Sequence, residues 1–409
     1  MLFGVLANLR KYAYHTNRLS KTIQGEEMNK ATDLKDFRVA VSRVEEYDPE
    51  LIGETILRHF DSLGITPEFF NGKKVVIKPN LVSKRGPDRA TTTHPEFIRA
   101  LVRILKTDGA DVLIAESSSG MYTKEHMREI YESSKFYEIG LEEGAEFNFD
   151  MSTVDIPAPD GIVSKRFNII KPLTECDVII DLCKIKSHSL TKLTCAVKNF
   201  FGAIPGTAKV EMHARFSDTS NFCQMLNDLC RAICAQTEVI CIADGILAME
   251  GEGPGTGDPR WLYAVLTSRN PFALDMAAAE LTGFGSTVTM VEQAKKMGLC
   301  PKDRSELEIK GDDFESLCVT DFVAPVSQKL ANEVKLIPNF AKPRPHINRD
   351  ICVGCGICAK SCPKKTIRIE KHKARINKKE CIMCFCCQEL CPHKAVYVKR
   401  SVFFEKILK

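Results

Sequence analysis

The sequence has no apolar run long enough to cross a membrane and lacks the signals of a secreted protein. A transmembrane helix needs about 20 consecutive apolar residues, and the chain has no such run. Its first residues, MLFGVLANLRKYAYH, have neither a basic segment ahead of an apolar core nor a small-residue cleavage site. We therefore predict a cytoplasmic protein without a membrane span. Met1 and Met28 are alternative starts.

The sequence also lacks a readable nucleotide-binding motif. No Walker motif is present, and EGEGPGTGDP at residues 250–259 departs from the dinucleotide-binding fingerprint. Pro254 breaks the glycine spacing, and a strand is predicted from Trp261, where the fingerprint requires a helix. We interpret the stretch as a mobile loop or lid, with a phosphate-binding nest as the alternative. A flavin remains an open alternative, since many flavin sites have no readable motif.

Cysteine, in contrast, is abundant, with 18 in the chain. In a long chain without a signal peptide this number indicates metal binding rather than disulfides. The cysteines before residue 341 form no C-x2-C pair, and we predict that they are buried thiols. The cysteines that follow are arranged differently.

Two copies of one cysteine motif lie near the end of the chain. The pattern C-x2-C-x2-C-x3-C-P at residues 352–363 recurs at residues 381–392, an offset of 29 residues that also relates HINRDIC to RINKKEC. Such a loop turns three thiolates toward one iron–sulfur cluster, and the fourth cysteine serves the other cluster. The spacing therefore predicts two 4Fe-4S clusters. The predicted ligands are Cys352, Cys355, Cys358 and Cys391 for the first cluster, and Cys381, Cys384, Cys387 and Cys362 for the second.

Residues 345–400 resemble bacterial-type two-cluster ferredoxin domains, which implies a small α+β domain that carries electrons. A zinc ribbon is disfavoured, because zinc sites usually pair two C-x2-C knuckles. Cys386 is one cysteine more than the motif requires, and it aligns with Ile357 of the first copy. We predict that Cys386 is a bystander beside the cluster.

The charge of the chain is distributed unevenly. Residues 341–409 contain 17 Lys and Arg against 5 Asp and Glu, a net charge of +12, whereas the rest of the chain carries −8. Each oxidised cluster with four thiolates has a charge of about −2, so the clusters neutralise part of this excess. The surplus predicts an acidic redox partner protein, or docking on the chain's own acidic body. Nucleic acid is disfavoured, because aromatic residues are nearly absent from the basic stretch and such runs are usually solvated.

Apolar runs and helical periodicities alternate upstream of the cysteine motifs. Runs such as KKVVIKPNLV, DVLIAE, DVIIDLC and EVICIA are continuously apolar, which indicates strands covered on both faces. PELIGETILRHFDSLG and HPEFIRALVRILKTDGA have apolar residues every three or four positions, as helices do. This alternation predicts an α/β domain with a mainly parallel sheet and flanking helices. The predicted units are an N-terminal extension (1–36), the α/β domain (37–325), a linker (326–344), the two-cluster domain (345–400) and a C-terminal tail (401–409).

Polar residues follow five of the predicted strands. Ligands of parallel sheets gather beyond the carboxyl ends of the strands, so we predict that these residues share a cleft. They are Lys78, Asn80, residues 116–119, residues 184–188, Asp244 and residues 268–270.

The stretch KIKSHSLTKLTCAVKNFFG at residues 184–202 is the most basic of these strand ends. Apolar residues at helical spacing predict an amphipathic helix over residues 190–201. Lys184, Lys186 and His188 would then lie at a helix N-terminus, where anions bind. His188 is predicted to act as a general acid, because its ordinary pKa is about 6.5. A hydrogen-bonded structural histidine is the alternative.

Four blocks resemble a known family: KPNLV, CKIKSHSLTKLTCAVKNFFGAIPG, IADGILAMEGEGPGTG and NPFALDMAAAELTG. They are similar to the uncharacterised family called domain of unknown function 362, which often carries a ferredoxin tail. The resemblance covers roughly residues 37–310. It implies an iron–sulfur redox protein without an established reaction. Cys195 is a departure, since related sequences often have a small residue there.

We predict an iron–sulfur oxidoreductase that passes electrons to an anionic small molecule, or a bound cofactor, in the cleft. The predicted substrate-binding residues are Lys78, Asn80, Lys184 and Lys198. The predicted catalytic residues are His188, Lys186 and Asp244. Two alternatives remain, a ferredoxin-type electron carrier with a non-catalytic docking domain and a regulatory protein that senses redox state or oxygen.

Overall fold

The computed structural model describes residues 31–82, 86–117, 119–325, 327 and 343–399. Most of the predicted extension and linker, and all of the predicted tail, lie outside these residues. The α/β domain begins before its predicted boundary at residue 37. Thr32 Oγ1 donates to the carbonyl of Thr237 and accepts from the amide of Val239, both at 2.9 Å, so this residue is already part of the domain.

A nine-stranded sheet forms the centre of the described chain. Its strands are β1 (Arg38–Arg43), β2 (Lys74–Pro79), β3 (Asp111–Ile114), β4 (Glu146–Phe147), β7 (Val178–His188), β8 (Lys192–Thr194), β9 (Glu238–Glu250), β10 (Asp258–Ser268) and β11 (Glu308–Gly311). The order is β11-β1-β10-β9-β7-β2-β3-β4, and β8 pairs with the end of β7. The remaining strands of this domain, β5 (Thr153–Pro157) and β6 (Arg166–Ile170), form a separate hairpin.

The sheet is mainly parallel, as predicted, with five parallel and three antiparallel pairings among the described strands. β10 is antiparallel to both of its neighbours, because it forms a hairpin with β9. Its last residue, Ser268, therefore lies beside Cys241 near the start of β9. The prediction that residues 268–270 join the cleft is wrong for this reason. Asn270 instead caps a helix, accepting from the amide of Phe272 at 2.9 Å.

Helices cover both faces of the sheet and bury two apolar cores. None of the described helices has both the length and the apolar character required to cross a membrane. Asp48 and Pro49 show why the first helix begins where it does. The Asp48 carboxylate accepts from the amide of Leu51 at 2.8 Å, and proline is favoured in the first turn. The helices are α1 (Pro49–Ser62), α2 (Pro95–Thr107), α3 (Lys124–Ser133), α4 (Phe136–Glu142), α5 (Ala196–Asn199), α6 (Ala208–Arg215), α7 (Thr219–Cys234), α8 (Pro271–Leu281), α9 (Thr289–Met297) and α10 (Phe314–Leu317).

The predicted helix over residues 190–201 is not formed. Strand β7 continues to His188, turns, and pairs antiparallel with β8 before the short helix α5 begins at Ala196. The turn is stabilised by the His188 ring, whose Nδ1 accepts from the amide of Leu190 at 3.0 Å. The apolar residues that suggested a helix are still buried in the core, Leu190 and Leu193 in this hairpin and Val197 in α5. Lys184, Lys186 and His188 therefore belong to a strand and not to a helix N-terminus.

The C-terminal domain consists of two copies of one unit, as the sequence repeat predicted. Gly354 and Gly356 of the first copy have positive φ, and so do Met383 and Phe385 at the corresponding positions 29 residues later. The strands pair across the copies, β12 with β15 and β13 with β14. The elements are β12 (Arg344–Ile347), α11 (Ile357–Lys360), β13 (Ile367–Glu370), β14 (Lys373–Ile376), α12 (Cys386–Glu389) and β15 (Val396–Lys399).

Candidate functional site

The first predicted set of cysteines surrounds a single cavity in the C-terminal domain. Cys352, Cys355 and Cys358 come from one loop, and Cys391 comes from the other copy of the repeat. Burial and the neighbouring thiols of Cys391, Cys355 and Cys352 raise the pKa of Cys358 to about 11. Four thiolates so close together repel one another unless a positively charged core holds them. This donor set suits an iron–sulfur cluster.

The second predicted set is also assembled from both copies. Burial raises the pKa of Cys381, the amide of Met383 opposes this, and the thiols of Cys384 and Cys362 raise it further. Burial, followed by the thiols of Cys384 and Cys381, raises the pKa of Cys387. Cys362 belongs to the first copy of the repeat, so each copy contributes one cysteine to the other's group. None of the 18 cysteines, all of which lie within the described residues, forms a disulfide.

Backbone amides point at the sulfur atoms of both sets. Hydrogen bonds of this kind stabilise thiolate ligands and tune the potential of a cluster. The contacts run from Ala374 to Cys352, Ala395 to Cys391 and Thr366 to Cys362, each at 3.3 Å, and from Met383 to Cys381 at 3.4 Å.

A second cavity, of about 40 Å³, lies at the carboxyl ends of β2, β3 and β7. We call it the cleft. Three of the seven residues predicted to bind the substrate or to act in catalysis line it: Asn80, Lys186 and Lys198. Lys78, Lys184, His188 and Asp244 do not line it. Glu116, Ser117 and Ser119, which were predicted to share the cleft, also line it. Further lining residues are Leu81, Val82, Thr194, Asn199, Phe201, Gly202, Lys209, Pro254 and, from the C-terminal domain, Glu389.

Lys78 is neutralised by a carboxylate at the wall of the cleft. Its Nζ lies 2.7 Å from Glu116 Oε2, and both side chains are almost completely buried. The pair approaches the backbone so closely that a Cβ atom at Gly202 would lie 2.1 Å from Glu116 Oε1 and 2.6 Å from Lys78 Nζ. A glycine is therefore required at this position. The closed ion pair makes Lys78 a weak candidate for direct anion binding.

Lys186 donates to two neutral oxygen atoms beside the cleft. Its Nζ donates to Asn80 Oδ1 at 2.6 Å and to the carbonyl of Thr91 at 2.8 Å. The amide of Asn80 donates in turn to Asn199 Oδ1 at 2.8 Å, and Asn199 donates to Asp181 Oδ1 at 2.7 Å. Burial raises the pKa of Asp181 to about 7, although Lys78 and Asn199 lower it. This chain of contacts fixes the direction of the Lys186 ammonium group at the cleft.

Lys184 and Asp244 form a separate buried ion pair outside the cleft. Lys184 Nζ lies 2.6 Å from Asp244 Oδ2, because the two residues are directly paired on β7 and β9. Tyr47 accepts from Lys184 and donates to Asp244, each at 2.9 Å, and the amide of His94 also donates to Asp244. Burial lowers the pKa of Lys184, and Asp244 opposes this. The arrangement is a satisfied polar network rather than an anion site.

His188 is buried and stays neutral. Burial, together with the charges of Lys198, His213 and Lys186, holds its pKa well below its ordinary value. Because Nδ1 accepts the amides of Leu190 and Thr191, the ring proton lies on Nε2, which has no partner among the described residues. A neutral ring is poorly suited to the predicted role of general acid. It is suited to donating a hydrogen bond.

Lys198 and Thr194 bring two further polar groups to the cleft. Lys198 Nζ lies 5.8 Å from the centre of the Phe201 ring. Burial lowers the pKa of Lys198, while the nearby Glu389 and Cys386 of the C-terminal domain oppose the decrease. Thr194 is 2% exposed, and its hydroxyl has no hydrogen-bond partner among the described residues.

Lys209 is a cleft residue that sequence reasoning missed. It lies on α6, and its Nζ donates to the carbonyls of Ser117 and Ile204 and to Ser117 Oγ. Burial lowers its pKa from 10.5 to about 7, even though Glu116 opposes the decrease. No motif marks this lysine, because its burial depends on packing against a strand end 92 residues earlier in the chain.

The C-terminal domain docks on the α/β domain beside the cleft. Gln388 donates to Thr256 Oγ1 at 3.0 Å and to the carbonyl of Glu252 at 3.4 Å, and it accepts from Ser189 Oγ at 3.2 Å. Glu252 and Thr256 belong to the glycine-rich loop that joins β9 and β10. The sequence predicted a lid or a phosphate nest here, whereas the structure gives this loop a contact with the second cysteine loop.

Comparison with known proteins supports both domains. Residues 75–280 match the family described as Domain of unknown function (DUF362), and residues 344–392 match a 4Fe-4S dicluster domain. A relative in Synechocystis sp., Thylakoid-associated protein sll1697, is 27% identical over 275 residues, which cover 64% of this chain and 80% of the relative. The match to a 4Fe-4S dicluster domain supports an iron–sulfur electron-transfer role.

Two solved structures are also similar to the chain, each at 15% identity. A protein from Thermotoga maritima has a TM-score of 0.30, and the similarity covers 54% of this chain and 55% of that protein. The lactate racemase apoprotein from Thermoanaerobacterium thermosaccharolyticum has a TM-score of 0.32, and the similarity covers 55% of this chain and 54% of that protein. The chain thus spans about half the length of each structure. On the match over residues 75–280, the chain belongs to the family described as Domain of unknown function (DUF362), and it carries a 4Fe-4S dicluster domain after it.

Proposed function

We propose that the protein is an iron–sulfur oxidoreductase that exchanges electrons with a compact anionic molecule bound in the cleft. The observation that carries the proposal is that both domains form the cleft, since Glu389, two residues after Cys387, lies in its wall. A 4Fe-4S cluster, when bound, supplies or accepts one electron at a time. The proposed ligands are Cys352, Cys355, Cys358 and Cys391 for one cluster, and Cys381, Cys384, Cys387 and Cys362 for the other.

The chemistry of the cleft favours an anion. Lys186 and Lys198 bring two ammonium groups to its wall. The hydroxyl of Thr194, which has no hydrogen-bond partner in the described part of the chain, offers a further hydrogen bond. A cavity of about 40 Å³ has room for a carboxylate or phosphate group. Pockets for larger ligands usually measure roughly 300–1,000 Å³, so neither this volume nor the family match supports a flavin.

The proton that accompanies electron transfer is assigned to Lys209 rather than to His188. A group with a pKa of about 7 is present in both protonation states at neutral pH, which suits proton exchange. His188 is neutral and does not line the cleft, so it is given no part in proton exchange. Asp244 and Lys184 do not touch the bound molecule. Their ion pair joins β7 to β9 and thereby positions the strand ends that form the cleft.

Anion binding by the anaerobically purified, cluster-loaded chain tests this proposal. Inorganic phosphate, sulfate and a series of small carboxylates are titrated while the melting temperature and the cluster absorbance are recorded. We expect at least one of them to bind. Lys198→Met should weaken that binding by about tenfold or more, a loss of about 1.4 kcal/mol. Lys302→Met is the control, because Lys302 is exposed and distant in sequence from every cleft residue.

Two results would contradict the proposal. One is the absence of binding by the whole series, and the other is unchanged binding in Lys198→Met. Either result, with both clusters present, would favour a ferredoxin-type electron carrier whose α/β domain serves for docking alone.

A further inference from the structure

The two copies of the C-terminal repeat have different surroundings. In the first copy the loop around Cys355 is open to solvent, with Ile351 45%, Val353 56% and Ile357 38% exposed. In the second copy the residue equivalent to Ile357 is Cys386, which is 4% exposed. Contacts with the α/β domain are made by the second copy, through Gln388. The first cysteine set therefore faces outward, while the second faces the cleft.

A basic groove adjoins the first cysteine set and also reaches the second, since its lining residue Thr366 donates its amide to Cys362 Sγ. Its volume is about 710 Å³, and it shares Ile347 and Ala374 with the cavity that Cys352, Cys355, Cys358 and Cys391 surround. Its cationic lining residues are Arg349, Lys365, Arg368, Arg375 and Lys378, against the acidic Glu370 and Glu380. Of the five cations, only Arg375 is ion-paired within the described residues, with Glu370 at 3.1 Å.

We infer that the exposed loop and this groove together form the docking surface for an acidic electron-carrier protein. The inference rests on the proposed function, in which the iron–sulfur domain exchanges electrons with a molecule bound in the cleft. The docked carrier loses one electron and the iron–sulfur domain gains it, so no bond forms or breaks and no proton is needed. Positive charge beside an exposed apolar loop attracts an acidic partner and then excludes water at the contact.

The surface fits a protein better than a nucleic acid. Proteins that bind single-stranded nucleic acid combine a basic groove with aromatic side chains on which bases stack. The groove has no Phe, Tyr or Trp among its lining residues. The neighbouring loop instead exposes the aliphatic side chains of Ile351, Val353 and Ile357, which suit a protein partner.

Carrier binding to the full, cluster-loaded chain tests this inference. The probe is an acidic flavodoxin: its dissociation constant is measured in the oxidised form, and the rate of cluster reduction is measured with its hydroquinone. The variant is Lys365→Glu with Arg368→Glu. The matched control is Lys394→Glu, since Lys394 is exposed and occupies the position of Lys365 in the second copy. Reduction by dithionite and the iron content verify that each variant keeps its clusters.

We expect the double variant to bind flavodoxin at least about tenfold more weakly at low salt, with a reduction rate that falls in parallel. Added salt should weaken the binding of the unchanged chain and have less effect on the variant. Val353→Asp, which leaves the groove intact, should also slow reduction by flavodoxin without changing reduction by dithionite.

Three results would overturn the inference. They are unchanged binding in the double variant, an equal loss in Lys394→Glu, and binding of single-stranded DNA that is tighter than flavodoxin binding and lost in the double variant. Lys198→Met separates this inference from the proposed function. If the groove variants lose flavodoxin binding but keep anion binding, the defect lies in the docking surface. If Lys198→Met loses anion binding but keeps flavodoxin binding, the defect lies in the cleft alone.

Discussion

Gln388 of the iron–sulfur domain donates its side-chain amide to Thr256 Oγ1 in the loop between β9 and β10, at 3.0 Å. Gln388 is 2% exposed and follows directly after Cys387. The contact therefore couples the second cysteine loop to the wall of the cleft. Its position explains how a domain at the far end of the sequence becomes part of a site built by strand ends.

Gln388→Ala should loosen this docking contact. The substitution removes two donated hydrogen bonds and one accepted one, and leaves buried partners unsatisfied, at a cost of about 1–3 kcal/mol. We expect faster amide hydrogen exchange in residues 251–257 and in the second cysteine loop. Lys394→Ala, an exposed position on the same domain, is the control. Unchanged exchange in Gln388→Ala would show that the contact does not hold the domains together.

Asp244→Ala should destabilise the α/β domain by about 3–5 kcal/mol, because it leaves the buried ammonium group of Lys184 without its counter-charge. Replacing both partners, as Lys184→Met with Asp244→Leu, should recover most of this loss. Denaturant unfolding of the single and double variants measures the difference. A loss below about 1 kcal/mol in Asp244→Ala would contradict the importance of the pair.

Lys209 should make stability depend on pH above neutrality. Between pH 7 and its ordinary pKa of 10.5, the unfolded chain binds the Lys209 proton and the folded chain does not. The free energy of unfolding due to this residue therefore rises with pH across that window. Lys209→Met should remove this slope, whereas Lys296→Met, at an exposed position, should retain it.

Denaturation of the three proteins at several pH values measures the slope, and NMR titration of the lysine side chains measures the pKa directly. A Lys209 pKa near 10 would contradict both the slope and the proposed role in proton exchange.

Cys355→Ala and Cys386→Ala should differ in their effect on iron content. The unchanged chain is expected to bind about eight irons in two clusters. Cys355→Ala removes a ligand of the first proposed set and should lower the iron content by up to about half. Cys386 is outside both sets, so Cys386→Ala should retain the full content and the electron paramagnetic resonance signals of both clusters. Equal iron loss in the two variants would contradict the assignment of ligands.

The cysteine arrangement could be predicted from the sequence because spacing along one loop determines which thiols can converge. The repeat of 29 residues recurs in the positive φ angles of Gly354 and Met383 and in the pairing of strands across the two copies. The sheet was predictable for a similar local reason, since continuous apolar runs mark strands covered on both faces. The direction of β10 was not, because an apolar run has no direction.

The sequence predicted where several polar residues of the cleft lie, but not which of them are ion-paired. Asn80, Lys186 and Lys198 do line the cleft, whereas the charge of Lys184 is neutralised by Asp244 on a neighbouring strand. Such partners are set by the register of β7 against β9, which residue types alone do not reveal.

The sequence by itself determined the iron–sulfur chemistry and the α/β character of the larger domain, because both depend on spacing and periodicity within short segments. The tertiary structure decided which charges are neutralised, which lysine has a pKa of about 7, and which cysteine set faces the cleft. Those properties depend on burial and on partners far apart in the chain. His188 combines both cases, since its place after a strand was evident from sequence, and its neutral ring follows only from the fold.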